Sequence, residues 1–355
     1  MTLIQFLAGL AVLILGAEVL VRGASRLSLS LGVPPLVVGL TVVAFGTSAP
    51  ELAVTLGGVV TGKTDLAMGN VVGSNIFNVL FILGLSALIA PLVVDRQLVR
   101  QEVPIVIALS ALTMVLALDT RLSMPDGAVL VASLAAYSLL LYRQGKRAPA
   151  VEMADPLLPV PRRGPIWDLA AIIAGLALLV LGSRWLVAAA TDIALGLGIS
   201  ETVVGLTIVA AGTSLPEVAT SVVAAARGER EIAVGNVLGS SIFNLGAVLG
   251  FGALFAGGNG LPVAPSLLAF DLPVMVAVAV ACLPVLFTGH LIARWEGALF
   301  FGYYLAYTAW LVLYSQHHDA LDEYGLVMRM VVIPLTVATL AAVAWREWRA
   351  RRRAG

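Results

Sequence analysis

Two glutamates, Glu51 and Glu217, lie inside long apolar stretches, and each follows the same lead, Gly-Thr-Ser-x-Pro. A carboxylate at the centre of a membrane helix costs roughly 2.5–3.5 kcal/mol or more, so an ionisable residue at such a position is a functional candidate. The proline removes a backbone donor and the glycine permits unusual backbone angles, which together predict a broken helix. A break frees carbonyl oxygens in mid-membrane, where protein or an ion must satisfy them. Thr47, Ser48, Thr213 and Ser214 place hydroxyls beside the two breaks. Ser74 with Asn78, and Ser240 with Asn244, add a second set whose four-residue spacing puts each pair on one helix face. These groups are all oxygen ligands, without histidine or thiolate. Such a set suits hard cations such as Na⁺ and Ca²⁺ and argues against Zn²⁺ or Cu⁺. Two carboxylates neutralise one Ca²⁺, and without it their repulsion draws in Na⁺ or protons.

The elements that carry these residues must span a membrane. Of 355 residues 60% are hydrophobic and 12% charged, with a mean hydropathy of +1.00; a soluble domain would be nearer a quarter charged. Apolar segments fall at roughly 3–21, 34–60, 66–91, 103–118 and 125–142, and then at 167–190, 202–226, 232–256, 269–288 and 296–314, with one more at 326–345. Each approaches the ~20 residues that an α-helix needs to cross the hydrocarbon. The runs are continuous rather than alternating, which excludes a β-barrel. The expected class is an all-α polytopic membrane protein with eleven crossings. A polar, proline-rich linker over 143–166 divides it. The first residues lack a basic n-region and a cleavage-like site, so they read as the first membrane helix and not as a signal peptide. The one cysteine, Cys282, lies in an apolar run, so no disulfide framework or cysteine metal site is expected.

Shifting the chain by 166 residues lays VVGLTVVAFGTSAPELA (37–53) on VVGLTIVAAGTSLPEVA (203–219), and AMGNVVGSNIFN (67–78) on AVGNVLGSSIFN (233–244). Over 36–56 the match is 13 identities in 21, and the Gly, Thr, Ser, Pro, Glu and Asn positions repeat as well as the aliphatic ones. The chain is internally duplicated: 1–142 is one five-helix repeat, 167–315 the second, and 316–355 an additional helix with a basic tail. Five crossings is an odd number, so the second copy enters the membrane the opposite way up, an arrangement found in secondary transporters. Charge tests this independently. With the N-terminus outside, 17 of the 21 Lys and Arg fall in cytoplasmic segments, as the positive-inside rule requires. The C-terminus is then cytoplasmic, and the expected location is a prokaryotic plasma membrane.

GTSAPE with GNVVGSNIFN, repeated as GTSLPE with GNVLGSSIFN, resembles the paired α-repeats of the calcium/cation antiporter superfamily, the sodium/calcium exchanger family. The resemblance covers roughly 1–314. It implies Na⁺/Ca²⁺ exchange with those two ions as substrates, the alternative being H⁺/Ca²⁺ exchange through the same glutamates. Carried over by position, it implies a ligand set of Thr47, Ser48, Glu51, Ser74 and Asn78 with Thr213, Ser214, Glu217, Ser240 and Asn244. The backbone carbonyls of Ala44 and Ala210 join them. Several relatives carry an aspartate where this chain has Asn244, an acid linked to K⁺ use in potassium-dependent members, so its absence argues against potassium dependence.

Other residues read more plainly. Asn70 and Asn236 repeat too but lie near helix starts, where capping is at least as strong a reading as an ion-ligand role. Glu18 and Arg184, near helix ends, are expected to snorkel to the interface. An intramembrane enzyme would need a nucleophile with a base, or a metal site, in the core. The three histidines, His290, His317 and His318, lie at or beyond helix ends instead. Beyond the lipid bilayer and the two ions the sequence calls for no cofactor, nucleic acid or obligatory protein partner.

Overall fold

The computed structural model describes residues 2–62, 65–147, 164–197, 210–287, 290–316 and 320–354. Most of the linker, the start of the second repeat's second helix, Lys63, His317 and His318 lie outside them. Nine described helices are long and apolar enough to cross a membrane. They are α1 (Thr2–Leu31), α2 (Pro35–Val60), α3 (Ala67–Ile89), α4 (Leu98–Asp119), α5 (Met124–Gln144), α6 (Pro165–Gly196), α8 (Arg230–Phe255), α9 (Leu267–Phe287) and α10 (Arg294–Ser315). Between α6 and α8 lies the shorter apolar helix α7 (Leu215–Ala226). A last helical run over 321–354, α11, carries the final apolar stretch. The protein is an all-helical multi-pass membrane protein.

Two short ribbons reveal the relation between the halves. β1 (Leu92–Val93) follows α3, β2 (Arg121–Leu122) follows α4, β3 (Leu261–Pro262) follows α8, and β4 (Leu291–Ile292) follows α9. β1 pairs antiparallel with β4 and β2 with β3. Exchanging the halves turns β1 into β3 and β4 into β2, so it carries one ribbon onto the other. The 22 residues of α4 join β1 to β2 and span about 33 Å at 1.5 Å per residue, so the ribbons sit on opposite faces. The operation that relates the repeats therefore turns the molecule over in the membrane.

α3 and α8 are the most buried spans and form the centre. The aliphatic side chains exposed along α1 and α6, such as Ile14, Leu15, Leu169 and Ile173, are those a lipid tail would meet. α1 and α6 pack along each other so closely that a Cβ on Gly16 would lie 2.7 Å from the Leu179 backbone nitrogen, and one on Gly175 2.6 Å from that of Leu20. Without a hydrophobic driving force in lipid, this backbone approach is how two such helices gain contact energy. At its far end α1 is tied to the turn after α7. Glu18 meets Arg22 and Arg227, and the Ser25 hydroxyl donates to Glu229 at 2.8 Å. Glu18, expected to snorkel, is ion-paired there with two partly exposed arginines, and Arg184 is exposed. α11 docks on α10, where the Tyr303 hydroxyl donates to Thr336 Oγ1 at 2.7 Å and the Tyr324 hydroxyl to the Ala306 carbonyl at 2.8 Å.

Candidate cation site

In α2 the helix runs to Thr47, Ser48 leaves helical geometry (φ −81°, ψ 1°), and a new helix starts at Ala49. Ser214 does the same before α7 (φ −90°, ψ 6°). Pro50 and Pro216 are early residues of the segments that follow, where a missing N–H costs least. Glu51 and Glu217 fall in the first turn of those segments, where the helix dipole favours a negative charge. The break is a pinch, not an unwound stretch: Ser48 N still donates to the Ala44 carbonyl at 3.0 Å and Leu52 N to Ser48 at 3.2 Å. Ala44, expected as a carbonyl ligand, thus has one acceptor position in use, with Thr47 Oγ1 also 3.3 Å away. Ala210 opens a short helical turn, Ala210–Gly212. The Gly212 carbonyl, four residues before Pro216, accepts from the Ser183 hydroxyl at 2.7 Å.

The repeats reach across to each other. The Ser48 hydroxyl donates to Glu217 Oε1 at 3.2 Å, and the Ser214 hydroxyl to Glu51 Oε1 at 2.9 Å. Ser214 also lies 3.2 Å from Ser74 Oγ, which joins α3 to the site. Thr47 Oγ1 is 3.4 Å from Ser240 Oγ, which joins α8. Glu51 and Glu217 are 0% and 1% exposed, so water cannot screen them. Each keeps one carboxylate oxygen, Oε2, without a protein partner. So do both amide atoms of Asn78 and of Asn244, and Thr213 Oγ1, which lies toward Glu51 without closing a hydrogen bond. Buried polar atoms are nearly always satisfied, so a cluster of orphans needs a cause. Asn78 and Asn244 each open a π-helical turn, Asn78–Leu83 and Asn244–Leu249. Such turns cluster at functional sites because they offset the helical register locally.

The structure thus brings Thr47, Ser48, Glu51, Ser74, Thr213, Ser214, Glu217 and Ser240 into one connected cluster and gives Asn78 and Asn244 unpartnered amides. Asn236 is a correction to the reading from sequence. Its helix begins at Arg230, so it does not cap; it is fully buried, accepts from Thr47 Oγ1 at 3.0 Å and donates to Ser221 Oγ at 2.9 Å. The identical neighbourhood of Asn70 and Asn236 in the repeat was the signal for a shared role.

A profile of the family described as "Sodium/calcium exchanger protein" matches residues 1–143 and 167–313. The chain belongs to the sodium/calcium exchanger family. It is 39% identical over 280 residues to the inner membrane protein YrbG of Escherichia coli, covering 77% of this chain and 85% of that one. It is 33% identical over 337 residues to the sodium/calcium exchanger MaX1 of Methanosarcina acetivorans, covering 85% and 95%. Among solved structures, the sodium-calcium exchanger NCX_Mj soaked with zero Na⁺ and Ca²⁺ superimposes with a TM-score of 0.75 at 32% identity, covering 87% of this chain and 98% of that one. This exchanger-family chain is a transporter and not an enzyme.

Two further acids escaped the reading from sequence. Glu102 in α4 accepts from the Tyr137 hydroxyl of α5 at 2.7 Å and from Gln97 and Gln101 at 3.0 Å each. Asp271 in α9 accepts from the Tyr307 hydroxyl of α10 at 2.7 Å. Both acids close π-helical turns, Leu98–Glu102 and Leu267–Asp271. They are one feature, duplicated: each acid accepts from a tyrosine of the helix that follows its own.

Proposed function

We propose that this exchanger moves Ca²⁺ against Na⁺ by alternating access at a single site formed by Glu51 and Glu217 between the two repeats. The observation that carries the reading is the set of orphaned oxygens: Oε2 of both glutamates, Oδ1 of Asn78 and Asn244, and Thr213 Oγ1. They are hard ligands, drawn from both repeats. One Ca²⁺ cancels both charges, and Na⁺ competes for the same oxygens. Ser48, Ser74, Ser214, Ser240 and Thr47, with the carbonyls of Ala44 and Ala210, complete the shell.

In this reading residues 1–142 and 167–315 are the two moving units, 143–166 their cytoplasmic link, and 316–355 an anchor. The N-terminus faces outside a prokaryotic plasma membrane and the C-terminus the cytoplasm. The face with the β1–β4 ribbon is then cytoplasmic, and the face with β2–β3 external. The test is Ca²⁺ uptake into proteoliposomes under imposed Na⁺, K⁺ and H⁺ gradients, one at a time. Uptake driven by Na⁺ alone is expected; uptake that follows only ΔpH would assign the glutamates to proton exchange.

A further inference from the structure

The repeats are alike in sequence but not in hydrogen bonding, and the difference is clearest in one network. In one half Asn236 of α8 holds three groups. Its Oδ1 accepts from Thr47 Oγ1 at 3.0 Å, and its Nδ2 donates to Ser221 Oγ at 2.9 Å and to the Glu217 backbone carbonyl at 3.4 Å. The equivalents 166 residues away are Asn70, Thr213 and Thr55. There, Asn70 Nδ2, Thr213 Oγ1 and Thr55 Oγ1 are all buried and have no partner. The donors and acceptors for the same network are therefore present in both halves, and it is closed in one only.

Position says what the closed copy does. Thr47 ends the first segment of α2, and Asn236 lies near the start of α8. Between them the two helices are in backbone contact, since a Cβ on Gly239 would lie 2.7 Å from the Ala44 Cβ and 2.8 Å from the Leu40 carbonyl. In the N-out orientation proposed above, this network lies on the cytoplasmic half of the site. Its counterpart, when closed, would join α3 to Thr213 on the external half. An unsatisfied buried amide and two unsatisfied hydroxyls are costly. A molecule able to close either copy, but only one at a time, holds that cost in the copy left unclosed.

We propose that Asn236 and Asn70 are positioning residues of a reciprocal latch: the Asn236–Thr47–Ser221 network closes when the site faces outward, and the Asn70–Thr213–Thr55 network closes when it faces inward. The latch rests on the exchange reading for its kinetic consequence, but its geometry is independent of the cargo. Asn236 acts through its hydrogen bonds to Thr47, Ser221 and the Glu217 carbonyl, and it decides which face the site opens to.

The test compares Asn236→Ala with Asn70→Ala in reconstituted vesicles of both orientations. Asn236→Ala removes the bonds that the latch assigns to the outward-facing state, so the apparent KM for Ca²⁺ rises about three- to tenfold on the external side and falls on the cytoplasmic side. Asn70→Ala does the reverse, and because Asn70 Nδ2 is unpartnered in this state, that variant keeps the fold seen here. A general loss of packing would move both constants the same way. Shifts of the same sign in the two variants, or no shift in Asn70→Ala, overturn the latch. Hydrogen exchange in lipid nanodiscs supplies a readout free of cargo: exchange over 35–47 rises in Asn236→Ala and falls, or holds, in Asn70→Ala. If wild-type vesicles carry no Ca²⁺ under any gradient while this exchange pattern holds, the exchange reading fails and the latch stands. If flux is normal and 35–47 responds alike in both variants, the latch fails alone.

Discussion

At the scale of the residue, Glu51 and Glu217 are, among the described residues, the acids that keep a buried carboxylate oxygen without a partner. Glu102 and Asp271 are met by tyrosine hydroxyls, whereas Glu51 and Glu217 are each held through Oε1 and leave Oε2 free. Glu51→Gln and Glu217→Gln keep the shape and remove half of the charge that balances Ca²⁺. Each is expected to lower Ca²⁺ flux at least about a hundredfold, the scale of breaking a buried ionic contact. Each should also abolish the rise in thermal stability that Ca²⁺ gives the wild type by mass action. Normal flux in either variant would refute a two-glutamate site. Ser48→Ala and Ser214→Ala remove one hydroxyl each from the partner repeat's glutamate, a loss of about 1 kcal/mol, so apparent Ca²⁺ affinity should drop about fivefold in both. Titration calorimetry checks this, and an effect in one serine alone would contradict the crossed arrangement. The glutamates and serines were legible because the duplicated polar motif stands out from an apolar background. Asn236 was not, because near a helix start an asparagine has a local role available, and only the crossing of α8 with α2 gives it a distant one.

At the scale of the element, the broken helices, the duplication and its inversion could be read directly: the proline, the 166-residue shift and the odd number of crossings each carry a geometric consequence. The π-helical turns could not, since nothing in side-chain spacing announces one extra residue per turn. The lateral acid–tyrosine pairs were hidden for a related reason. Glu102 and Tyr137 are 35 residues apart, and which tyrosine meets which acid depends on how α4 crosses α5. These pairs fasten α4 to α5 and α9 to α10. Tyr137→Phe leaves Glu102 with its two glutamine donors, whereas Tyr307→Phe removes the side-chain donor found on Asp271. Loss of a hydrogen bond to an acid of this kind costs about 1–3 kcal/mol, so both variants should unfold at lower temperature. Tyr307→Phe should show the larger shift. Thermal unfolding followed by intrinsic fluorescence in one detergent tests the order, and a larger shift in Tyr137→Phe would mean that Asp271 is held chiefly by other groups.

At the scale of the whole molecule, charge arithmetic ties the site to the driving ion. Two fixed carboxylates bind one Ca²⁺ at neutrality, and two Na⁺ achieve the same balance. Beyond the glutamates the cluster still offers hydroxyls and amide oxygens from both repeats, among them Thr213 Oγ1 and the Asn78 and Asn244 amides, so a third Na⁺ can enter on neutral ligands. A cycle that carries three Na⁺ one way and one Ca²⁺ the other moves net charge. Exchange is therefore expected to be electrogenic: a potential imposed with a permeant anion, at fixed Na⁺ and Ca²⁺, should change the rate, and the sign should reverse with the potential. With Asn at 244 instead of an acid, no further carboxylate recruits K⁺, and replacing K⁺ by choline should leave flux unchanged. The same vesicles fix the orientation, because a C-terminal reporter on α11 should be protected in right-side-out vesicles if that helix crosses and the tail is cytoplasmic. Potential-independent flux would mean that only two Na⁺ are loaded and that the neutral oxygens coordinate Ca²⁺ alone. A strict need for K⁺ would mean that an amide at position 244 can serve where relatives use an acid, which would separate potassium use from the fixed charge of the site.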